Sequence, residues 1–77
     1  MKTTVHFYGQ LTDITQTPVL ELEGIADTDR MIKSLLEKFP GLSQVKFSIA
    51  VNNSLVQNNT PLKPDTIIAL MPPFSGG

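Results

Sequence analysis

The chain has no cysteine among its 77 residues. That excludes disulfide staples, thiolate metal ligands and a cysteine nucleophile, and it fits a reducing compartment. An excess of either charge is missing too. The formal net charge of −1 gives neither the basic face of a nucleic-acid binder nor a polybasic membrane patch. No apolar run approaches the roughly 18 residues of a membrane span. Met1-Lys2-Thr3-Thr4 leads straight into an alternating pattern, with no apolar signal core and no small-residue cleavage site. There is no internal repeat, no low-complexity segment and no phosphate-cradling glycine loop, since glycines 9, 24, 41, 76 and 77 are dispersed. What remains is one small domain, expected to be an intact, soluble, cytoplasmic protein. A chain this short buries a modest fraction of its surface, so its core has to be efficient.

The patterning present is that of a mixed α and β domain. Thr3, Val5 and Phe7 share one parity, and Thr4, His6 and Tyr8 the other, which predicts a strand with one buried face. After Gly9-Gln10 and a loop containing Asp13, Thr15, Thr17 and Pro18, Val19–Glu23 puts Leu20 and Leu22 opposite Glu21 and Glu23. These two strands suit an antiparallel hairpin. Asp27 or Thr28 offers a helix cap, with Asp29 against the positive helix end. Met31, Ile32, Leu35, Leu36 and Phe39 make a single apolar stripe that Pro40-Gly41 ends.

Val45, Phe47, Ile49 and Val51 alternate with Lys46, Ser48 and Ala50 and predict a strand over 45–51. Asn52-Asn53 suits a tight turn into the short strand Ser54-Leu55-Val56. The final run, Thr66 to Met71, is apolar enough for a central strand, covered on both faces or lying at a partner surface. One helix covers one face of such a sheet, so the fold class is α+β, a roll with its sheet packed on one main helix. The body spans residues 1–71, and an extended tail occupies 72–77.

The body offers little chemistry. His6 is the only histidine and faces away from Val5 and Phe7, with no serine or carboxylate motif beside it. Glu21 and Glu23 read as the solvent face of a strand, and Asp27 and Asp29 as helix-start residues. A hard-cation site needs more converging oxygens than these supply. We therefore expect no metal, no cofactor bound by this chain and no catalysis by the chain alone.

The tail, Pro72-Pro73-Phe74-Ser75-Gly76-Gly77, is different. Two prolines favour an extended course that projects from the last strand. Six residues extended reach on the order of 20 Å. Gly76-Gly77 has no side chains, so it fits a narrow channel and presents an unhindered carboxylate. Left alone, that carboxylate is a poor electrophile. As an acyl-adenylate it becomes open to a sulfur or nitrogen nucleophile. A sulfur donor then makes it a thiocarboxylate, nucleophilic for the reason that thiolates are. ATP and the sulfur donor must come from partners.

Several stretches carry a resemblance. Ala50-Val51-Asn52-Asn53-Ser54-Leu55-Val56, Pro61-Leu62, Asp65 and Ala69 through Gly77 resemble the MoaD family, the small subunits of molybdopterin synthase. Phe7-Tyr8-Gly9-Gln10-Leu11 is similar to that family's aromatic-aromatic-small-Gln-aliphatic opening. The likeness spans nearly the whole chain, and Pro-Pro-x-x-Gly-Gly is its most specific part.

It implies a ubiquitin-like β-grasp fold with a mixed sheet. It also implies a sulfur carrier in molybdenum cofactor biosynthesis. Gly77 would be adenylated by an E1-like adenylyltransferase using ATP, then thiocarboxylated from a sulfur donor protein. Inserted into a large catalytic subunit, within a heterotetramer of two large and two small subunits, it would supply dithiolene sulfur to the cyclic pterin precursor. By the same resemblance Gly76 partners Gly77. Tyr8, Leu55 and Met71 present apolar side chains to partners, and Pro72, Pro73, Phe74 and Ser75 form the inserted tail.

Two positions depart from the family pattern. Thr12 stands where an arginine is usual, and a charged partner contact is then absent. Pro64-Asp65 replaces the usual Gly-Asp turn, and proline forbids a positive φ at its own position. Three other readings share the tail: a carrier for thiamine thiazole synthesis, a modifier joined to lysines through Gly77, and a non-covalent β-grasp module whose glycines are incidental.

Overall fold

The computed structural model describes residues 2–72. Five strands form one sheet: β1 Lys2–Phe7, β2 Val19–Glu23, β3 Ser48–Val51, β4 Ser54–Val56 and β5 Thr66–Met71. Their spatial order is β2-β1-β5-β3-β4. β1 and β2 pair antiparallel, as the two leucines of β2 and the alternation of β1 predict. β1 and β5 pair parallel, with Phe7 opposite Leu70. β3 pairs antiparallel with both β5 and β4. The sheet is therefore mixed, and β5 is its central strand.

Alternation decides what each strand buries. Val5, Phe7, Leu22, Ile68 and Leu70 point to one side and are buried there together with Met31 and Leu35 of helix α2, Thr28–Lys38. The apolar stripe thus covers one face of the sheet, as the spacing predicts, and the fold is an α+β roll. Asp27 caps α2 by accepting from the Arg30 N–H at 2.9 Å. Asn59 adds a second cap from a distant loop, accepting from the Asp29 N–H at 2.9 Å, and the Thr28 hydroxyl accepts from the Thr60 N–H at 2.9 Å. Two of the orphan N–H groups of this helix start are thereby satisfied from two places in the chain, and the loop is tied to the helix through Thr28.

Three local expectations need correction. The segment read as a loop between β1 and β2 contains a short helix, α1, Leu11–Thr15, whose Leu11 and Thr15 are buried one turn apart. Pro40-Gly41 ends α2 but also opens a 3₁₀ turn, Pro40–Gln44, with proline at its first position. β3 is accordingly shorter than 45–51 and starts at Ser48. Val45 and Phe47 still pack partly buried against the core, because an extended chain alternates its side chains whether or not its backbone is paired.

The turns behave as their residues require. Asn52 and Asn53 take φ of 48° and 73°, both positive, as the tightest hairpin turns need. The Asn52 side chain also accepts from the Ile67 N–H at 2.9 Å, which ties the turn to β5. At Pro64-Asp65 the positive φ, 64°, falls on Asp65. Proline is compatible with the turn because the left-handed residue is the one after it.

Candidate functional site

The outer face of the sheet is assembled by register. Leu55 lies opposite Ala50, Ala50 opposite Ala69, Ala69 opposite His6, and His6 opposite Val19. One row of side chains thus crosses all five strands, and its centre is two alanines. A neighbouring row continues the parallel pairing past Phe7: the Tyr8 N–H donates to the Leu70 carbonyl at 3.0 Å, which brings Tyr8 beside Met71.

Large side chains at the margin and small ones in the middle make a hollow. It is open, about 360 Å³, and lined by Tyr8, Ala50, Asn53, Leu55, Ala69 and Met71. Leu55 is 60% exposed, Ile67 54% and Tyr8 49%. His6 stacks on Tyr8, ring centroids 6.4 Å apart and planes 23° from parallel, which steadies the tyrosine at the rim. Exposed apolar patches of this kind are candidate docking surfaces.

Tyr8, Leu55 and Met71, singled out from sequence, therefore sit around one hollow. Ala50 and Ala69 were not singled out. Their signal is small size at an outward parity, where a strand usually presents something polar or bulky.

The described chain ends at the edge of this hollow. Pro72 follows Met71 directly and is half-buried. It lies against Gly9, the residue that turns the chain from β1 toward α1 with φ of +59°. A Cβ placed on Gly9 would stand 2.8 Å from Pro72 Cγ and 3.3 Å from Cδ. Thr12, at the departure from the family pattern, donates its hydroxyl to the Phe7 carbonyl at 3.3 Å and so helps close the same turn. Pro73, Phe74, Ser75, Gly76 and Gly77 lie outside the described residues.

Two of the acids have structural employment. Glu21 pairs with Lys2 at 3.7 Å and Asp27 caps α2. No group of three or more metal-ligating side chains converges among the described residues. No helix there is long and apolar enough to cross a membrane.

A mixed five-stranded sheet wrapped on one principal helix, with a parallel pair formed by its first and last strands, is the ubiquitin-like β-grasp fold. Residues 5–77 match the model of the ThiS family, and the chain belongs to that family. Its solved neighbours include proteins named as molybdopterin-converting factor subunits and as small archaeal modifier proteins. Over the whole of both chains it is 30% identical to a Helicobacter pylori 26695 chain, TM-score 0.71, from the complex of subunits 1 and 2 of molybdopterin-converting factor. It is 26% identical to small archaeal modifier protein 1 of Methanosarcina acetivorans, TM-score 0.84, covering 99% of this chain and 96% of that one. A Pyrococcus furiosus protein named as a candidate molybdopterin converting factor subunit 1 superposes with TM-score 0.88 over 95% of this chain and 98% of its own. At 18% identity that likeness concerns the fold alone.

Proposed function

We propose that this chain is the sulfur-carrier subunit of a molybdopterin synthase. The observation that carries the reading is the coincidence of two features: an apolar hollow formed by Tyr8, Leu55 and Met71, and a segment starting at its edge whose sequence ends Gly76-Gly77. The hollow docks the carrier on a partner, and the segment after Pro72 enters the partner's active site.

The chemistry then follows from the carboxylate of Gly77. One carboxylate oxygen attacks the α-phosphorus of ATP in an E1-like adenylyltransferase, and pyrophosphate leaves. A sulfur nucleophile at the sulfide oxidation level attacks the acyl carbon, and AMP departs with the oxygen. The product is a thiocarboxylate. In the large subunit its sulfur attacks a carbon of the cyclic pterin precursor and displaces an oxygen substituent, which leaves with the bonding pair, and water then cleaves the acyl–sulfur bond. Sulfur stays on the pterin and Gly77 returns as a carboxylate. This chain supplies the docking surface and the acyl group. ATP, sulfur donor and pterin are held by the partners.

Support comes from the family membership and from the Helicobacter pylori chain, which resembles this one end to end and comes from a two-subunit complex. The test is intact mass after incubation with a competent activating enzyme, ATP and a sulfur donor. One oxygen-for-sulfur exchange is expected, and deletion of Gly77 should abolish it. A mass that stays unchanged with an enzyme active on its own carrier would overturn the reading.

A second reading has its own observation, the likeness to small archaeal modifier protein 1. In that case the activated Gly77 would be joined to lysines, and covalent ladders that disappear with Gly77 would reveal it. A carrier serving thiamine thiazole synthesis would share the charging reaction. Co-purification with a thiazole synthase in place of a pterin-synthesising subunit would distinguish it.

A further inference from the structure

We propose that Gly9 is a positioning residue for the carrier's chemistry: by lacking a side chain it lets the Pro72 ring seat against the β1–α1 turn, and this contact fixes where and in what direction the chain leaves the sheet. The inference deepens the sulfur-carrier reading and rests on it for its kinetic consequence.

Three observations meet at this point. First, Gly9 has φ of +59°, a region that L side chains enter only at a cost. Second, a Cβ there would approach Pro72 Cγ to 2.8 Å. That is closer than two carbons pack, and the obstacle is a ring closed onto the backbone, so it cannot swing aside as the end of a lysine would. Third, the turn is held on both flanks. The Tyr8 N–H bonds to the Leu70 carbonyl at 3.0 Å, and the Thr12 N–H bonds to the Gly9 carbonyl at 3.1 Å. Gly9 is thus pinned between the rim of the hollow and the start of α1, and Pro72 is pinned on Gly9. The acyl carbon lies five residues beyond Pro72, so the direction taken at Pro72 bears on where it is presented. A reacting group misplaced by about 1 Å can lose about 100-fold in rate.

Gly24 provides the matched control. It too has a positive φ, +71°, but among the described residues, its two chain neighbours aside, nothing lies within 4 Å of where its Cβ would be. Gly24→Ala imposes the backbone strain of Gly9→Ala without the collision. The two variants would be charged by the activating enzyme side by side, and thermal unfolding would be followed for both. The hollow is common to both, so KM for the carrier should be that of the unmodified chain. For Gly9→Ala, kcat should fall by about tenfold or more. For Gly24→Ala it should stay unchanged, although both variants lose stability. Equal kcat for the two would overturn the inference.

Two further measurements keep it exposed should Gly9→Ala fail to fold. In the unmodified protein a nuclear Overhauser contact is expected between the Gly9 α-protons and the Pro72 ring, and its absence would overturn the packing itself. Pro72→Ala should lower kcat more than Pro73→Ala does, and equal losses would likewise overturn the role of the contact. If the unmodified chain takes no sulfur at all, the sulfur-carrier reading fails, and the nuclear Overhauser contact still decides whether Gly9 holds Pro72.

Discussion

The two faces of the sheet are made by the same strands yet differ in kind. On β5, Thr66, Ile68 and Leu70 are buried, while Ile67 between them is 54% exposed. On β1, Val5 and Phe7 enter the core and His6 and Tyr8 form the opposite surface. The inner face is filled to closure: Phe7 meets Phe39 edge-on at 6.0 Å between ring centroids, and Met31, Leu35 and Leu42 complete the packing. The outer face also carries apolar side chains near its centre, but there Tyr8, Leu55 and Ile67 are about half exposed around two alanines. Hydrophobicity alone does not say which face serves the fold. Closure says it, because the helix reaches only one side.

The comparison predicts that the faces separate under mutation. The largest effect should come from the inner one. Leu35→Ala is expected to cost about 3 kcal/mol of unfolding free energy, read by urea denaturation, which is a large share of the roughly 4–12 kcal/mol a domain of this size possesses. Leu55→Asp should do the reverse. Unfolding should shift by no more than about 0.5 kcal/mol, while calorimetric binding to the large synthase subunit should weaken by about 2 kcal/mol, roughly 30-fold in Kd. A Leu55 variant that unfolds easily and still binds would erase the distinction between the faces.

Smaller changes sharpen it. Asp27→Ala removes one of the two caps of α2 and should cost about 1 kcal/mol, with charging of Gly77 unaffected at temperatures where the variant is folded. Thr3 is fully buried on the inner face, and its hydroxyl has no hydrogen-bond partner among the described residues. Thr3→Val keeps the shape and removes the orphan, so stability should rise by about 1 kcal/mol in the same denaturation experiment. No change in partner binding is expected from either substitution.

Much of this was legible where a pattern ran long enough to average out local accidents. The stripe from Met31 to Phe39 with Asp27 before it specifies α2, and the asparagine pair specifies a turn because few other residues accept two positive φ values in succession. The apolar Thr66–Met71 run marked the central strand. Short elements were harder. α1 places Leu11 and Thr15 one turn apart with Ile14 between, too few residues for a period to stand out from a polar loop. The run from Val45 to Val51 gave the facing of each side chain correctly but not where pairing begins, since alternation belongs to extended backbone and hydrogen bonding to a neighbour strand. The hollow is legible only in part. Tyr8, Leu55 and Met71 stand out as apolar residues, but Ala50 and Ala69 contribute by being small, and only the register brings them together. The seat of Pro72 on Gly9 joins residues from opposite ends of the chain and left no trace in any local window.

The parallel pairing of β5 with β1 has a mechanical meaning as well. If a partner were to hold the C-terminal segment, as the proposed function requires, a load on Met71 along the axis of β5 would be carried by that strand's pairing. That strand is bonded on one side to β1 and on the other to β3. A load applied along it falls on both ladders at once, in shear, and many bonds must yield together. Were the segment attached to an edge strand and pulled sideways, the bonds would open singly, like a zip. The body can therefore bear traction on its end while its core stays shut, which is what a handle must do if its tip is to be gripped, modified and released again and again.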